Sequence, residues 1–99
     1  MKNKVLIKLI VPEVNESYDL FIPVNEVMWK IKKLILKCVS DLTDSAIDMT
    51  REFIFINKST GRIYENNDII LQTEIRNGSE IILLSKERGP VDVSRIMKK

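Results

Sequence analysis

The chain has 99 residues, of which 44% are hydrophobic and 30% charged, so it is long enough for one globular domain and too short for two. Its net charge is +2, and residues 1–85 are nearly neutral, with 11 basic and 12 acidic side chains. This balance excludes a strong field that would steer the domain to nucleic acid. The basic excess lies in residues 86–99, which carry five basic and two acidic groups.

The N-terminal segment alternates between two faces over residues 4–11. One face carries four aliphatic side chains, Val5, Ile7, Leu9 and Val11, and the other carries Leu6, Lys8 and Ile10. A period of two with β-branched residues is typical of a strand. Residues 12–16 are predicted to turn, and residues 17–22 alternate again, so the two strands form a hairpin.

A helix is predicted after Pro23, which ends the second strand because proline cannot donate to a central ladder. Asn25 is the predicted N-cap, and Glu26 suits the first turn. The apolar residues that follow recur at helical spacing and predict an amphipathic helix of about four turns packed on the sheet. They are Val27, Ile31, Leu34, Ile35, Cys38, Val39 and Leu42.

The second half of the chain contains the strongest strand pattern, over residues 52–57. A turn ending at Gly61 follows, and a return strand is predicted to start over residues 62–64 with Ile63 in the core. Residues 65–79 form a long link with a short helical turn near residues 69–73. Residues 80–85 are the last strand, and the predicted order is strand, strand, helix, strand, strand, turn, strand.

This order and three stretches of sequence resemble a known family. The stretches are Tyr18-Asp19-Leu20-Phe21-Ile22-Pro23, Ile31-Lys32-Lys33-Leu34-Ile35, and Glu65-Asn66-Asn67-Asp68 through Asn77-Gly78-Ser79. The chain resembles bacterial ubiquitin-like proteins of the YukD/EsaB type, associated with type VII secretion. The predicted fold is therefore α+β: a ubiquitin-like β-grasp over residues 1–85, with a mixed sheet of four to five strands packed on one amphipathic helix. Residues 86–99 are predicted to be a flexible basic tail.

The resemblance implies a protein that is not an enzyme and that serves as an accessory or regulator of a secretion machine. The alternative is a ubiquitin-like modifier or sulfur carrier, which ends in Gly-Gly so that an activating enzyme can reach an unhindered terminus. This chain ends at Lys99, and its last glycine, Gly89, precedes Pro90. The sequence therefore disfavours that alternative.

The cellular location is predicted from three features. No apolar run reaches the roughly 18–20 residues that cross a bilayer. Lys8 interrupts the apolar residues near the N-terminus, and no cleavage site of a secretory signal follows. Cys38 is the only cysteine, which excludes an internal disulfide and fits a reducing compartment. We expect a cytoplasmic protein with no direct membrane insertion.

Candidate catalytic groups are few. The chain has no histidine, which removes the commonest general base and metal ligand. Cys38 lies on the apolar stripe, where cysteine usually serves as a small hydrophobic residue. Asp41, Asp44 and Asp48 could share a helical face, but a solvated acidic face is the better interpretation. No cofactor, metal site or catalytic residue is predicted.

The predicted helix also carries a row of lysines. Lys30, Lys33 and Lys37, together with Lys32, could form a patch for RNA or lipid. Aromatic side chains suited to base stacking are not interleaved with them, so a solvated helix face is favoured. No nucleic acid partner is predicted.

The candidate binding site is the sheet face away from the helix. If the odd-numbered residues of the first, third and last strands point inward, six aliphatic side chains and Lys8 share the outer face. The six aliphatic residues are Leu6, Ile10, Ile54, Ile56, Ile82 and Leu84. Such a patch is large enough to act as an interface for a secretion component or for a second copy of the chain.

Two alternatives stay open for this face. The tail could cover it with Val91, Val93, Ile96 and Met97. A register slip of one residue would also exchange the inner and outer faces.

Overall fold

The computed structural model describes residues 3–44, 47 and 51–85. In chain order these form β1 (Lys4–Val11), β2 (Glu16–Pro23), α1 (Met28–Leu42), β3 (Phe53–Asn57) and β4 (Glu80–Ser85). Single turns of 3-10 helix occupy Pro12–Val14 and Ile70–Gln72. The predicted α+β class and β-grasp architecture are confirmed, with a mixed sheet of four strands packed on one helix. The predicted tail, residues 86–99, lies outside the described residues.

The strands are ordered β2-β1-β4-β3 across the sheet. β1 pairs antiparallel with β2 and parallel with β4, and β4 pairs antiparallel with β3. The β1–β2 pair is the predicted hairpin, and Asn15 closes its turn at φ 55°, a left-handed conformation that asparagine tolerates. The parallel β1–β4 pair needs a long connection, which α1 and the segments around it supply.

The Asn77-Gly78 corner holds the start of β4 beside β1. The Asn77 side-chain Oδ1 accepts a hydrogen bond from the backbone N–H of Leu6 at 2.8 Å, and the Gly78 N–H donates to the Leu6 carbonyl at 2.8 Å. Gly78 has φ 90°, which favours glycine at this position. The corner therefore sets the register in which β4 pairs with β1.

The core lies between α1 and one face of the sheet. The alternation predicted in the sequence is confirmed, because the residues on one side of each strand are buried. The strands contribute Ile7, Leu9, Val11, Ile22, Phe53, Phe55, Ile81 and Leu83. The helix and the connecting segments contribute Met28, Ile31, Ile35, Val39, Ile47, Tyr64, Ile70 and Ile75.

The predicted helix start at Asn25 is wrong. The helix begins at Met28, its N-cap is Val27, and no side chain caps it. Backbone carbonyls from the β3–β4 connection accept its first N–H groups instead, since Met28 donates to Asp68 at 2.7 Å and Trp29 donates to Asn66 at 3.1 Å. These bonds satisfy donors that a capping side chain would otherwise serve.

The predicted apolar stripe of α1 is rotated from the observed one. Met28, Ile31, Ile35 and Val39 are buried, and Cys38 is half-buried. Leu34 and Leu42, both predicted to face the core, are 58% and 56% exposed. Leu34 lies beside β2, the edge strand of the sheet, where it lines a small cavity with Leu20 and Ile22. Leu34 and Leu42 therefore form apolar surface where the sequence predicted core.

The predicted return strand over residues 62–64 is also wrong. Ile63 makes one isolated bridge to Ile56, and no further ladder forms there. Tyr64 is the buried residue, at 2% exposed, while Ile63 is 55% exposed. The backbone N–H of Tyr64 donates to the Phe55 carbonyl at 3.0 Å. This bond holds the segment beside β3 for a short distance.

Candidate protein-binding site

A row of isoleucines crosses the sheet face opposite α1. Ile10 of β1 is in register with Ile82 of β4, and Ile82 is in register with Ile56 of β3. The bridge between Ile56 and Ile63 extends the row beyond β3. Directly paired residues on neighbouring strands place their side chains on the same face, so these four lie side by side.

A second apolar pair adjoins this row. Ile54 is in register with Leu84 on the same face. We call the six residues of the row and the pair the isoleucine patch: Ile10, Ile54, Ile56, Ile63, Ile82 and Leu84. All but Ile63 are half-buried by their neighbours. The structure thus places five of the six predicted site residues together.

Leu6 is the predicted site residue that lies apart. It pairs with Phe21 of β2, and these two are 37% and 56% exposed. A charged row separates them from the isoleucine patch, since Lys8 is in register with Asp19 and with Glu80. The side chain of Lys58 forms a salt bridge with Glu80 at 3.2 Å. The outer face is therefore a patch bordered by charges, which can fix the orientation of a partner.

Ile63 belongs to the patch although the sequence analysis assigned it to the core. Its backbone follows the Asn57–Gly61 turn, and the isolated bridge is too short to continue an alternation. The sequence signal that could have placed Ile63 on the outer face is the adjacent Tyr64. Tyr64 is the larger side chain of the two, and a buried tyrosine usually finds a hydrogen-bond partner for its hydroxyl. The predicted cover from Val91, Val93, Ile96 and Met97 lies outside the described residues.

A polar network fixes the β3–β4 connection beside the patch. The Tyr64 hydroxyl donates to Glu74 Oε2 at 2.5 Å, and Asn57 Nδ2 donates to the Tyr64 oxygen at 3.0 Å and to Glu74 Oε2 at 3.2 Å. Arg62 Nη1 donates to Glu74 Oε1 at 2.8 Å, and Arg62 also lies 5.0 Å from the centre of the Tyr64 ring. These contacts hold the segment that carries Ile63.

The network does not supply an acid or base for catalysis near neutrality. Burial, followed by the hydrogen bond to Glu74, raises the pKa of Tyr64 from 10.0 to about 12. The hydrogen bond from Tyr64 lowers the pKa of the Glu74 carboxyl from 4.5. The two pKa values are moved away from 7, so the phenol stays protonated and the carboxylate stays ionised there.

We expect the Tyr64→Phe variant to resist alkali better than the wild type does. Because the folded protein holds the Tyr64 pKa above that of the unfolded chain, the stabilising contribution of the neutral phenol is complete below pH ~10 and lost as pH rises toward about 12. The free energy of unfolding, measured in urea between neutral and alkaline pH, should fall less steeply in the variant. Parallel slopes for Tyr64→Phe and wild type would contradict the assignment.

The other candidate chemistry of the sequence gains no support. Asp41 and Asp44 are exposed, and Asp48 lies outside the described residues. Within residues 3–44, 47 and 51–85, no group of three potential ligands could hold a metal ion. No helix in that part of the chain is long and apolar enough to span a bilayer.

Comparisons with known proteins identify the fold. No protein-family model matches the sequence, and no curated protein sequence matches it significantly. Solved structures do match. An N-terminal ubiquitin-like domain solved in solution aligns with a TM-score of 0.67 and 22% identity, over 93% of this chain and 85% of that one. The ubiquitin-like domain of an Arabidopsis thaliana protein aligns with a TM-score of 0.64 and 14% identity, over 91% and 85% of the two chains.

A third similar structure is a chain of the MycP5-free ESX-5 inner membrane complex. It aligns with a TM-score of 0.68 and 12% identity, over 96% of this chain and 25% of that much longer one. At such identities the similarities establish the fold alone. The chain therefore has the ubiquitin-like β-grasp fold, and the finer resemblance to the YukD/EsaB type stays a prediction.

Proposed function

We propose that this chain is a cytosolic ubiquitin-like module that binds a protein and performs no catalysis, as an accessory or regulatory component of a type VII-like secretion system. The observation that carries the proposal is the isoleucine patch, a contiguous apolar surface on a sheet face that no described segment covers. Apolar patches with a polar border commonly mark protein interfaces.

The link to secretion rests on two supports. One is the resemblance to the YukD/EsaB type in the order of the predicted elements and in three stretches of sequence. The other is the fold similarity to a chain of the ESX-5 complex, a type VII secretion complex. The proposed occupant of the patch is a component of such a machine, and a second copy of this chain is the alternative occupant.

The decisive variant is Ile54→Glu, which places a charge in the patch on a half-buried side chain of β3. We expect it to abolish co-purification of the secretion components, identified by mass spectrometry from cells that encode them, because a buried carboxylate without a partner disfavours association. Leu71→Glu is the matched control: Leu71 is 65% exposed on the Ile70–Gln72 turn, outside the patch. Equal recovery of the components with both variants would refute the proposal.

The same variants separate the two occupants. Light scattering of the purified chain gives its mass in solution. A wild-type dimer that Ile54→Glu converts to a monomer identifies the occupant as a second copy. A wild-type monomer whose complex is lost on the same substitution identifies a secretion component. Urea unfolding of Ile54→Glu verifies that the fold survives the substitution.

A further inference from the structure

A row of lysines lies on the side of α1 that points away from the sheet. Lys30, Lys33 and Lys37 are spaced by three and four residues, so they share one side of the helix over about 10 Å of its length. All three are exposed, and the buried side chains of α1 lie on the opposite side of the helix. The row is therefore a solvent-facing surface that takes no part in the core.

Apolar side chains lie on both sides of this row. Trp29 is 41% exposed and Leu34 is 58% exposed, and the helical repeat places them on opposite flanks of the lysines. An open cavity of about 510 Å³ runs along the helix and is lined by Leu34, Pro23 and the three lysines, among others. The aliphatic stems of the lysines add to this apolar surface. We call the combined surface the helix face: Trp29, Lys30, Lys33, Leu34 and Lys37.

The helix face keeps a net positive charge. The segment that forms α1 contains four lysines and one aspartate. Lys30 pairs with Glu26 at 3.7 Å, but these side chains are 52% and 42% exposed, so solvent screens the pair. Among the described residues, no salt bridge engages Lys33 or Lys37. An anionic partner would therefore meet ammonium groups that no carboxylate has neutralised.

The position of Trp29 favours a lipid partner over a nucleic acid. The ammonium groups of Lys30 and Lys33 lie over its ring, 5.6 Å and 5.4 Å from the ring centre. A base could stack on the ring only by displacing them, which disfavours single-stranded nucleic acid. A tryptophan beside lysines suits the headgroup region of a bilayer, because that region accommodates both the apolar ring and the charges.

From these features we infer that the helix face binds the surface of a membrane rich in anionic phospholipid, without crossing it. α1 lies parallel to the bilayer, and the lysines contact the lipid phosphates. Trp29 and Leu34 reach the boundary between the headgroups and the acyl chains. The isoleucine patch lies on the far side of the sheet and stays open, so this inference does not depend on the occupant of that patch.

A direct test is sedimentation of the full chain with phospholipid vesicles. The protein should sediment with vesicles of phosphatidylcholine and phosphatidylglycerol, and about tenfold less of it should sediment with phosphatidylcholine alone. Added salt should weaken the binding, because it screens the attraction between the lysines and the lipid phosphates. Equal binding to both vesicles, or no binding to the anionic ones at low salt, would overturn the inference.

Substitutions then locate the contact. Lys33→Gln and Lys37→Gln should each lower the partition coefficient about fivefold, the usual contribution of one lysine near an anionic surface. Lys8→Gln is the matched control: Lys8 is an exposed lysine on the other face of the sheet, and its loss should change binding less than about twofold. Equal losses from all three variants would assign the binding to net charge and refute the helix face.

The basic residues of the segment 86–99 need their own control. The double variant Lys33→Gln/Lys37→Gln leaves that segment intact. If it binds anionic vesicles as well as the wild type does, the contact lies outside the helix face and the inference is wrong.

Trp29 reports on the geometry of the contact, because it is the only tryptophan of the chain. Its fluorescence should shift to the blue with anionic vesicles and become less accessible to acrylamide. Binding without this shift would show that Trp29 stays in water and that another surface meets the membrane. A single-stranded RNA oligomer is the competing probe: a response of Trp29 to RNA and none to vesicles would assign the helix face to nucleic acid and overturn the inference.

Discussion

Leu83→Ala is expected to lower the free energy of unfolding by about 2–5 kcal/mol, the cost of emptying a fully buried leucine site. Leu83 is 0% exposed on β4, which has a neighbouring strand on each side, so the surrounding core has little freedom to close the cavity. Urea unfolding at neutral pH measures the loss. An effect of this size would take a large part of the stability of a domain of this length.

Its neighbour in sequence provides the control. Ile82 points to the outer face, is half-buried, and belongs to the isoleucine patch. Ile82→Ala should cost about 1 kcal/mol, mainly through lost strand propensity and cross-strand contact. A larger loss from Ile82→Ala than from Leu83→Ala would mean that the two faces are exchanged, and the patch would then be part of the core.

The strand faces could be predicted from sequence because the alternation has a period of two. Ile7 and Leu9 are buried, while Lys8 between them in sequence is exposed. In the same way, Phe53 and Phe55 are buried, while Ile54 between them is half-buried. Over a strand of five or more residues, the pleat leaves one assignment that buries the larger apolar set. The outer-face positions of the six predicted site residues follow from this rule. The strand order then groups five of them, whereas the charged row at Lys8 separates Leu6.

The helix could not be predicted as closely, because its limits depend on distant residues. Asn25 is a good capping residue, but carbonyls of residues 66 and 68 serve the helix start instead. No local pattern reveals these acceptors, which lie some 40 residues along the chain and meet the helix only in the fold. The exposure of Leu34 has a similar origin, since Leu34 lies beside the edge strand β2, and the local sequence pattern does not reveal which strand is at the edge.

The connection from β3 to β4 was the least predictable part. Residues 62–64 are too few to establish an alternation, and the turn at Gly61 decides which of Ile63 and Tyr64 faces inward. The choice is stabilised by Glu74, whose carboxylate accepts from Tyr64 across ten positions of sequence. Sequence periodicity carries no information about such a polar contact.

The second large effect on stability is expected at the polar network of Tyr64, Asn57 and Glu74. We expect Glu74→Ala to destabilise the domain by about 2 kcal/mol at neutral pH, because Tyr64 and Asn57, both buried, each lose a charged acceptor. The ion pair with Arg62 contributes little to this figure, since Arg62 is 43% exposed in its side chain and solvent screens the pair. Glu65→Ala, at an exposed glutamate of the same connection, is the control and should cost less than about 0.5 kcal/mol.

The pH dependence identifies the cause of the loss. The folded protein lowers the Glu74 carboxyl pKa, first through the hydrogen bond from Tyr64, so the stabilising contribution is complete above the unfolded pKa of 4.5 and lost as pH falls through the folded value. The difference between wild type and Glu74→Ala, measured by urea unfolding, should therefore be constant from neutral pH down to about 5 and shrink below it. A difference that stays constant into acid would assign the effect to packing, because only the ionised carboxylate can lose its contribution by protonation.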